Sequence, residues 1–172
     1  MCCGTGGATR ALLRKLGRQY QIIGVDLSLS QLKIAYRSKG LQNILLLECD
    51  VEHTPFVDCT FNKVFITHAL HEMQRKNWLL VLREAKRLLK ENGTVVILEL
   101  DNPPNRFLHF FVGLWFFYWL PFNFETPTRR DMLNNGLGNE LKETGFKEIK
   151  KTSKSNGIFQ TVQGVKDSLK HS

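Results

Sequence analysis

An α/β fold built on a doubly wound, mostly parallel sheet is what this sequence predicts, and three observations predict it. Short apolar runs alternate with helix-spaced runs from Ala8 to Leu100, joined by short links. A glycine cluster, Cys3-Gly4-Thr5-Gly6-Gly7, opens a helix-forming run. An acid, Asp26, closes the next apolar run. It lies about twenty residues past the glycines, the spacing at which a carboxylate meets ribose hydroxyls in nucleotide-binding sheets.

Taken in order, the elements justify themselves. Glycines at positions 4, 6 and 7 let backbone approach a ligand with no Cβ in the way. The N–H groups that open the following helix, about Ala8 to Gly17, are then available to an acceptor. The strand Gln21 to Asp26 follows, and Leu27-Ser28-Leu29-Ser30 supplies an N-cap for a helix over Gln31 to Ser38, ended by Gly40. Asn43 to Cys49 is continuously apolar, as a strand covered on both faces would be, and Asp50 stands just beyond it. Asn62 to His68 is the next strand. Trp78 to Leu89 has helical spacing, Asn92-Gly93 stops it, and Thr94 to Leu100 is a β-branched strand.

Composition narrows the function classes. The chain of 172 residues reads as one domain over its whole length, and 42% hydrophobic residues suffice for a core. A net charge of +8 suits an anionic partner or simple solubility, and the basic residues are spread rather than gathered in an arm. No basic-aromatic recognition motif for nucleic acid is present. Asn102-Pro103-Pro104-Asn105, which superficially resembles a base-methylation signature, reads as a turn. Four cysteines show neither C-x-x-C spacing nor a zinc pattern, so no metal is expected and they read as reduced packing residues of a cytoplasmic protein. No apolar signal segment opens the chain.

The turn Cys3-Gly4-Thr5-Gly6, the strand-end Asp26 with Leu32 and Ala35 after it, Asp50, and Leu88-Leu89-Lys90-Glu91-Asn92-Gly93 before a strand together resemble the class I S-adenosylmethionine-dependent methyltransferases, in the flavour of the ubiquinone/menaquinone-biosynthesis enzymes. The resemblance runs from Cys3 to about Val165 and implies a Rossmann-like, seven-stranded sheet ending in an antiparallel pair. Phe146 to Lys151 and Gly157 to Val165 fit that pair, after a helix over Arg129 to Thr144. It implies S-adenosyl-L-methionine as cofactor. Gly4, Thr5 and Gly6 would line its methionine and ribose side, Asp26 would hold the ribose hydroxyls, and Leu27 would pack on the adenine. Asp50 would accept from the adenine amino group beside the Val51 backbone, and Thr67 and His68 would close the methionine side. A plainer reading of Asp50 is that it caps a turn.

The sequence departs from the family at its start. Only Met1 and Cys2 precede the glycine turn, where the family has a central strand between those ending at Asp26 and His68. That strand is expected to be missing, at a cost of order 10 kcal/mol in lost side-chain burial. A shortened product, or a start assigned too far downstream, is the corresponding expectation. It leaves open a non-catalytic relative that binds cofactor or a partner. A nicotinamide-dependent oxidoreductase shares the glycine-and-acid logic, but Asp50 and the C-terminal pair fit a methyltransferase better.

Residues 107–120 are apolar nearly all round. A helix there would be about 21 Å long, too short for a hydrocarbon core of about 30 Å. It reads either as a buried or oligomer-facing helix, or as a lid within an insertion at about 104–127. Such a lid would shape a greasy pocket or dip into a membrane interface. The expected substrate is small and lipophilic, with peripheral membrane contact and a homo-oligomer as the further associations. Methyl transfer is an in-line displacement that mostly needs alignment. A base helps when the acceptor is a hydroxyl or acidic carbon. His71 is the first candidate, with Glu72 to orient it or face solvent. His109 and Tyr118, in the aromatic run, are substrate-contact candidates. The bland alternative makes His68 and His71 structural.

Overall fold

Gly6 sets the start of the chain's first helix. Its φ of +81° is left-handed, and a Cβ there would run into Leu41 Cδ1 and Ala35 Cβ. The turn therefore packs on the next helix with backbone alone. The computed structural model describes residues 1–17, 19–41, 44–101 and 137–168. Its elements are α1 (Gly7–Leu16), β1 (Ile23–Asp26), α2 (Leu29–Arg37), β2 (Leu45–Glu48), β3 (Phe61–Thr67), a 3-10 turn (Leu70–Glu72), α3 (Arg75–Leu88), β4 (Leu89–Leu100), α4 (Gly138–Glu143), β5 (Phe146–Lys154), a second 3-10 turn (Ser155–Gly157) and β6 (Phe159–Lys166). Ser28 caps α2 by accepting from Gln31 N at 3.4 Å, so that helix begins two residues earlier than its periodicity suggests.

The strands form two sheets. β1 pairs with β2 in parallel, Asp26 opposite Glu48. The other sheet has the order β3-β4-β6-β5, with β3 and β4 parallel and β6 antiparallel to both β4 and β5. The predicted α/β class and antiparallel C-terminal pair are both present. Among the described residues no ladder joins β1 to β3. Met1 to Cys3 run between the two: the Met1 ammonium donates to Phe65 O at 2.7 Å, and Cys3 N donates to Val25 O at 2.9 Å. Burial pushes the Met1 ammonium below its usual pKa. The same desolvation raises the Cys2 thiol to about 12 and the Cys3 thiol to about 11. None of the four cysteines is joined in a disulfide; Cys3 is buried, Cys2 and Cys49 are half-buried and Cys59 is exposed.

Two expectations need correcting. The run ending at Cys49 is not covered on both faces. β2 pairs only with β1 among the described residues, and Leu45 is 56% exposed, because an edge strand can be as apolar as a central one. The strand predicted from Thr94 begins at Leu89, which pairs with Phe61. Asn92, at φ +60°, makes an irregularity within it rather than a separate stop.

The core lies between α3 and the larger sheet. Trp78, Val81, Leu82, Ala85 and Leu88 recur at helical spacing and are buried against Val64, Ile66, Val95 and Ile97. Trp78 is fully buried, and its Nε1–H reaches Leu70 O (2.6 Å) and Met73 O (3.0 Å). That contact holds the first 3-10 turn onto α3. A buried ion pair ties the loop after β2 to the same helix. Glu84 accepts from Thr54 N at 2.8 Å, from Thr54 Oγ1 and from Arg87, which also reaches Asp58 and Phe56 O. Burial opposes the Glu84 charge, but these donors outweigh it and hold its carboxyl below the usual range. The apolar run at 107–120 and the first part of the helix predicted over 129–144 lie outside the described residues.

Candidate functional site

In an open parallel sheet, ligands bind beyond the carboxyl ends of the strands, and there the sequence-predicted residues lie. Asp26 ends β1. Its Oδ2 accepts from Gly4 N at 2.7 Å and its Oδ1 from Ser28 N at 2.9 Å. Each carboxylate oxygen has two lone pairs, so the side chain retains acceptor capacity after fixing both flanking loops. Gly4, at φ +52°, has open space where a Cβ would stand. Thr5 is exposed beside it, and Gly6 is the buried pivot of the turn. Leu27, next to Asp26, is 68% exposed, an apolar side chain left uncovered at the rim.

Asp50 follows the adjacent strand. Cys49 N donates to Asp26 O at 3.1 Å, so Asp50 stands one residue past the same sheet edge. Its Oδ1 accepts from Glu52 N at 2.8 Å, so it does cap a turn, while the residue itself stays exposed. The Val51 side chain is buried in the core, which leaves only its backbone toward the rim. Thr67 ends β3. His68 turns away with φ +50°, donates its N–H to Leu98 O at 2.9 Å, and sets its exposed ring edge-on to Phe159 at 5.3 Å. His109 and Tyr118 lie outside the described residues.

His71 sits on the first 3-10 turn. Of the two expectations for Glu72 the solvent-facing one holds: its carboxylate is 77% exposed and 3.9 Å from His71 Nε2, beyond hydrogen-bond reach. The orienting carboxylate is Glu99, near the end of β4. Its Oε2 lies 2.7 Å from His71 Nδ1, and its Oε1 accepts from Ala69 N (2.7 Å) and Leu70 N (2.8 Å). Glu99 has no solvent exposure. Burial pushes its carboxyl up, but the hydrogen bond and charge of His71 and the two backbone N–H groups pull further, and its pKa ends below the ordinary carboxylate value. An ionised carboxylate only accepts, so His71 Nδ1 carries the shared proton. Glu99 was missed in the sequence. The signal that marks it is an acid on the buried alternation of β4, in line with Val95 and Ile97.

With this geometry in hand, similarity to known proteins bears on what the site does. A family model described as "Methyltransferase domain" matches residues 1–93. The chain belongs to the methyltransferase domain family. The demethylmenaquinone methyltransferase of Staphylococcus saprophyticus is 33% identical over 122 residues, 70% of this chain and 52% of that protein. That of Staphylococcus aureus is 31% identical over 122 residues, 70% and 50% of the two chains. This methyltransferase chain thus spans about half the length of the curated relatives it matches. Among solved structures, a SAM dependent methyltransferase from Aquifex aeolicus superposes with a TM-score of 0.70 at 16% identity, covering 96% of this chain and 79% of that one. Phosphoethanolamine N-methyltransferase 2 of Haemonchus contortus, in complex with S-adenosyl-L-methionine, gives 0.69 at 17% identity, covering 97% and 47%.

The family's cofactor is S-adenosylmethionine, and the residues present fit it. The bend at Gly4 has open space beside its backbone, Asp26 has lone pairs to spare for vicinal hydroxyls, and Leu27 offers an uncovered apolar face. Among the described residues no helix is long and apolar enough to cross a membrane.

Proposed function

We propose that this methyltransferase moves a methyl group from S-adenosylmethionine to a small, lipophilic acceptor of the quinone-precursor kind, and that His71 removes the acceptor's proton. The bound cofactor supplies an electrophilic methyl group on a sulfonium. Gly4, Thr5 and Gly6 would hold its ribose and methionine side, Asp26 its hydroxyls, Leu27 and Asp50 its adenine. Thr67 and His68 would close the site from the end of β3. Asp26 binds through acceptor atoms already fixed in place by Gly4 and Ser28, so little ordering remains to be done on binding. His71 presents Nε2 as base while Glu99 holds Nδ1–H. The proton of an acidic O–H or C–H would pass to Nε2 as that oxygen or carbon takes the methyl group; the S–CH3 bond would break with its electron pair staying on sulfur, so that S-adenosylhomocysteine and the methylated product both leave uncharged and His71 is left protonated.

The observation that carries this reading is the 2.7 Å His71–Glu99 contact beyond the carboxyl ends of β3 and β4, as the Asp26–Gly4 pair lies at the carboxyl end of β1. The lipophilic acceptor rests on the apolar run at 107–120 and on the acceptor in the relatives' names. The test is calorimetry with S-adenosylmethionine, then labelled methyl transfer to reduced demethylmenaquinone by the wild-type chain and His71→Ala. Binding and transfer by wild type, with transfer lost and binding kept in the variant, support it. Transfer unchanged in His71→Ala removes the base. Binding without any transfer favours the second reading, a cofactor-binding relative without turnover. The observation behind that reading is the sheet divided between β1 and β3.

A further inference from the structure

We infer that Glu99 is a positioning residue for methyl transfer: it fixes which imidazole nitrogen of His71 faces the acceptor, and it does so through the backbone of the turn that carries His71. The inference rests on the reading of His71 as base and goes beyond it, because it concerns a residue that never touches substrate. Three donors come from one stretch of chain. Ala69 N and Leu70 N fill Oε1, and His71 Nδ1 fills Oε2. One carboxylate thus anchors both the peptide groups leading into the turn and the ring at its middle.

Glu99 is itself immobile. It is fully buried on β4, flanked on the same face by Ile97, with Leu100 N also leaning on Oε2 at 3.3 Å. Its cross-strand partner is Gln160 on β6, 1% exposed, whose Nε2 donates to Leu100 O at 2.7 Å. From the opposite side, Trp78 Nε1 holds Leu70 O. The turn is therefore pinned by its N–H groups to β4 and by a carbonyl to α3. A carboxylate that accepts at Nδ1 forces the proton onto that nitrogen and leaves Nε2 as the basic one. A group merely filling space there would have no such effect on the ring. Glu72 lies 3.9 Å from Nε2 and is largely solvated.

The test uses the full chain with ¹⁵N-labelled histidine, His71 signals being assigned by their loss in His71→Ala. In the wild type the inference requires the Nδ1–H tautomer for neutral His71. In Glu99→Gln the amide can turn its NH₂ toward Nδ1, so the signals move toward the Nε2–H form. The kcat with reduced demethylmenaquinone then falls on the order of 10²-fold, while acceptor KM and cofactor affinity stay within about twofold. A wild-type ring found as Nε2–H overturns the inference even if the variant fails to fold. So does a Glu99→Gln protein with unchanged tautomer and kcat. Full turnover by His71→Ala instead sinks the underlying assignment of the base, and the role of Glu99 falls with it. An inactive His71→Ala beside a wrong tautomer sinks this inference alone.

Discussion

Replacing Asp26 by Asn looks conservative and is expected not to be. The carboxylate meets two donors at once, Gly4 N at 2.7 Å on Oδ2 and Ser28 N at 2.9 Å on Oδ1. An amide has one oxygen. Whichever way it turns, its NH₂ faces one of those N–H groups, donor against donor. The variant therefore loses one charge-assisted hydrogen bond outright, about 1.5–3 kcal/mol. For a chain of this size about 2 kcal/mol lowers the melting temperature by roughly 4–8 °C. Cofactor binding suffers again, because the same NH₂ displaces an acceptor from the ribose side, a loss on the order of 10–100-fold in affinity. Asp26→Ala removes both acceptors and should bind no better than Asp26→Asn. Calorimetry with S-adenosylmethionine and thermal unfolding of both variants test this. If Asp26→Asn binds within twofold of wild type and melts within a degree of it, the two-donor account of this carboxylate is wrong.

Other expectations follow from the same geometry. Glu84→Ala strands Thr54 N and much of Arg87, and since Arg87 is a third exposed the loss is about 3 kcal/mol, seen as a melting temperature lower by roughly 6–12 °C; a shift under 2 °C would show the clamp to be ornamental. Trp78→Phe replaces the indole with a smaller phenyl ring, dropping the N–H to Leu70 O and Met73 O and leaving part of a fully buried site unfilled, together costing about 2–4 kcal/mol by denaturant titration. It should also lower turnover more than cofactor affinity, because the turn bearing His71 loosens. Gly6→Ala strains a left-handed residue and drives a Cβ against Leu41 and Ala35, so both melting temperature and cofactor affinity fall. For pH, Glu84 and Glu99 both have folded pKa values below the ordinary 4.5. Their contribution is therefore complete above about 4.5 and is lost as pH falls through the lower folded values. Urea midpoints measured from pH 6 to 3 should fall less steeply in Glu99→Gln than in wild type, and equal slopes would count against an ionised Glu99.

Local chemistry made much of this legible in advance. Glycines 4 and 6, the acid closing β1 and the β-branched run of β4 each announce their geometry within a few residues, and the antiparallel C-terminal pair followed from the family pattern. The edge position of β2 did not show, because Leu45 to Leu47 would read the same in the middle of a sheet; neighbours decide it, not composition. Glu99 did not show either. Its role depends on His71, 28 residues earlier in the chain and brought alongside only by β3–β4 pairing. Glu72, one residue from His71, was the natural guess, but the backbone of a 3-10 turn points it to water.

Among the described residues β1 and β3 meet at a seam rather than a ladder, crossed by Met1–Cys3 with one main-chain hydrogen bond reaching each side. The layer of β1, β2 and α2 can thus open more readily than the β3–β6 layer, and its amides should exchange with deuterium sooner. A nucleoside gripping Gly4 and Asp26 on one bank and Thr67 on the other would act as a cross-brace. Its arrival would slow exchange throughout the β1, β2 and α2 layer, well beyond the few residues it touches.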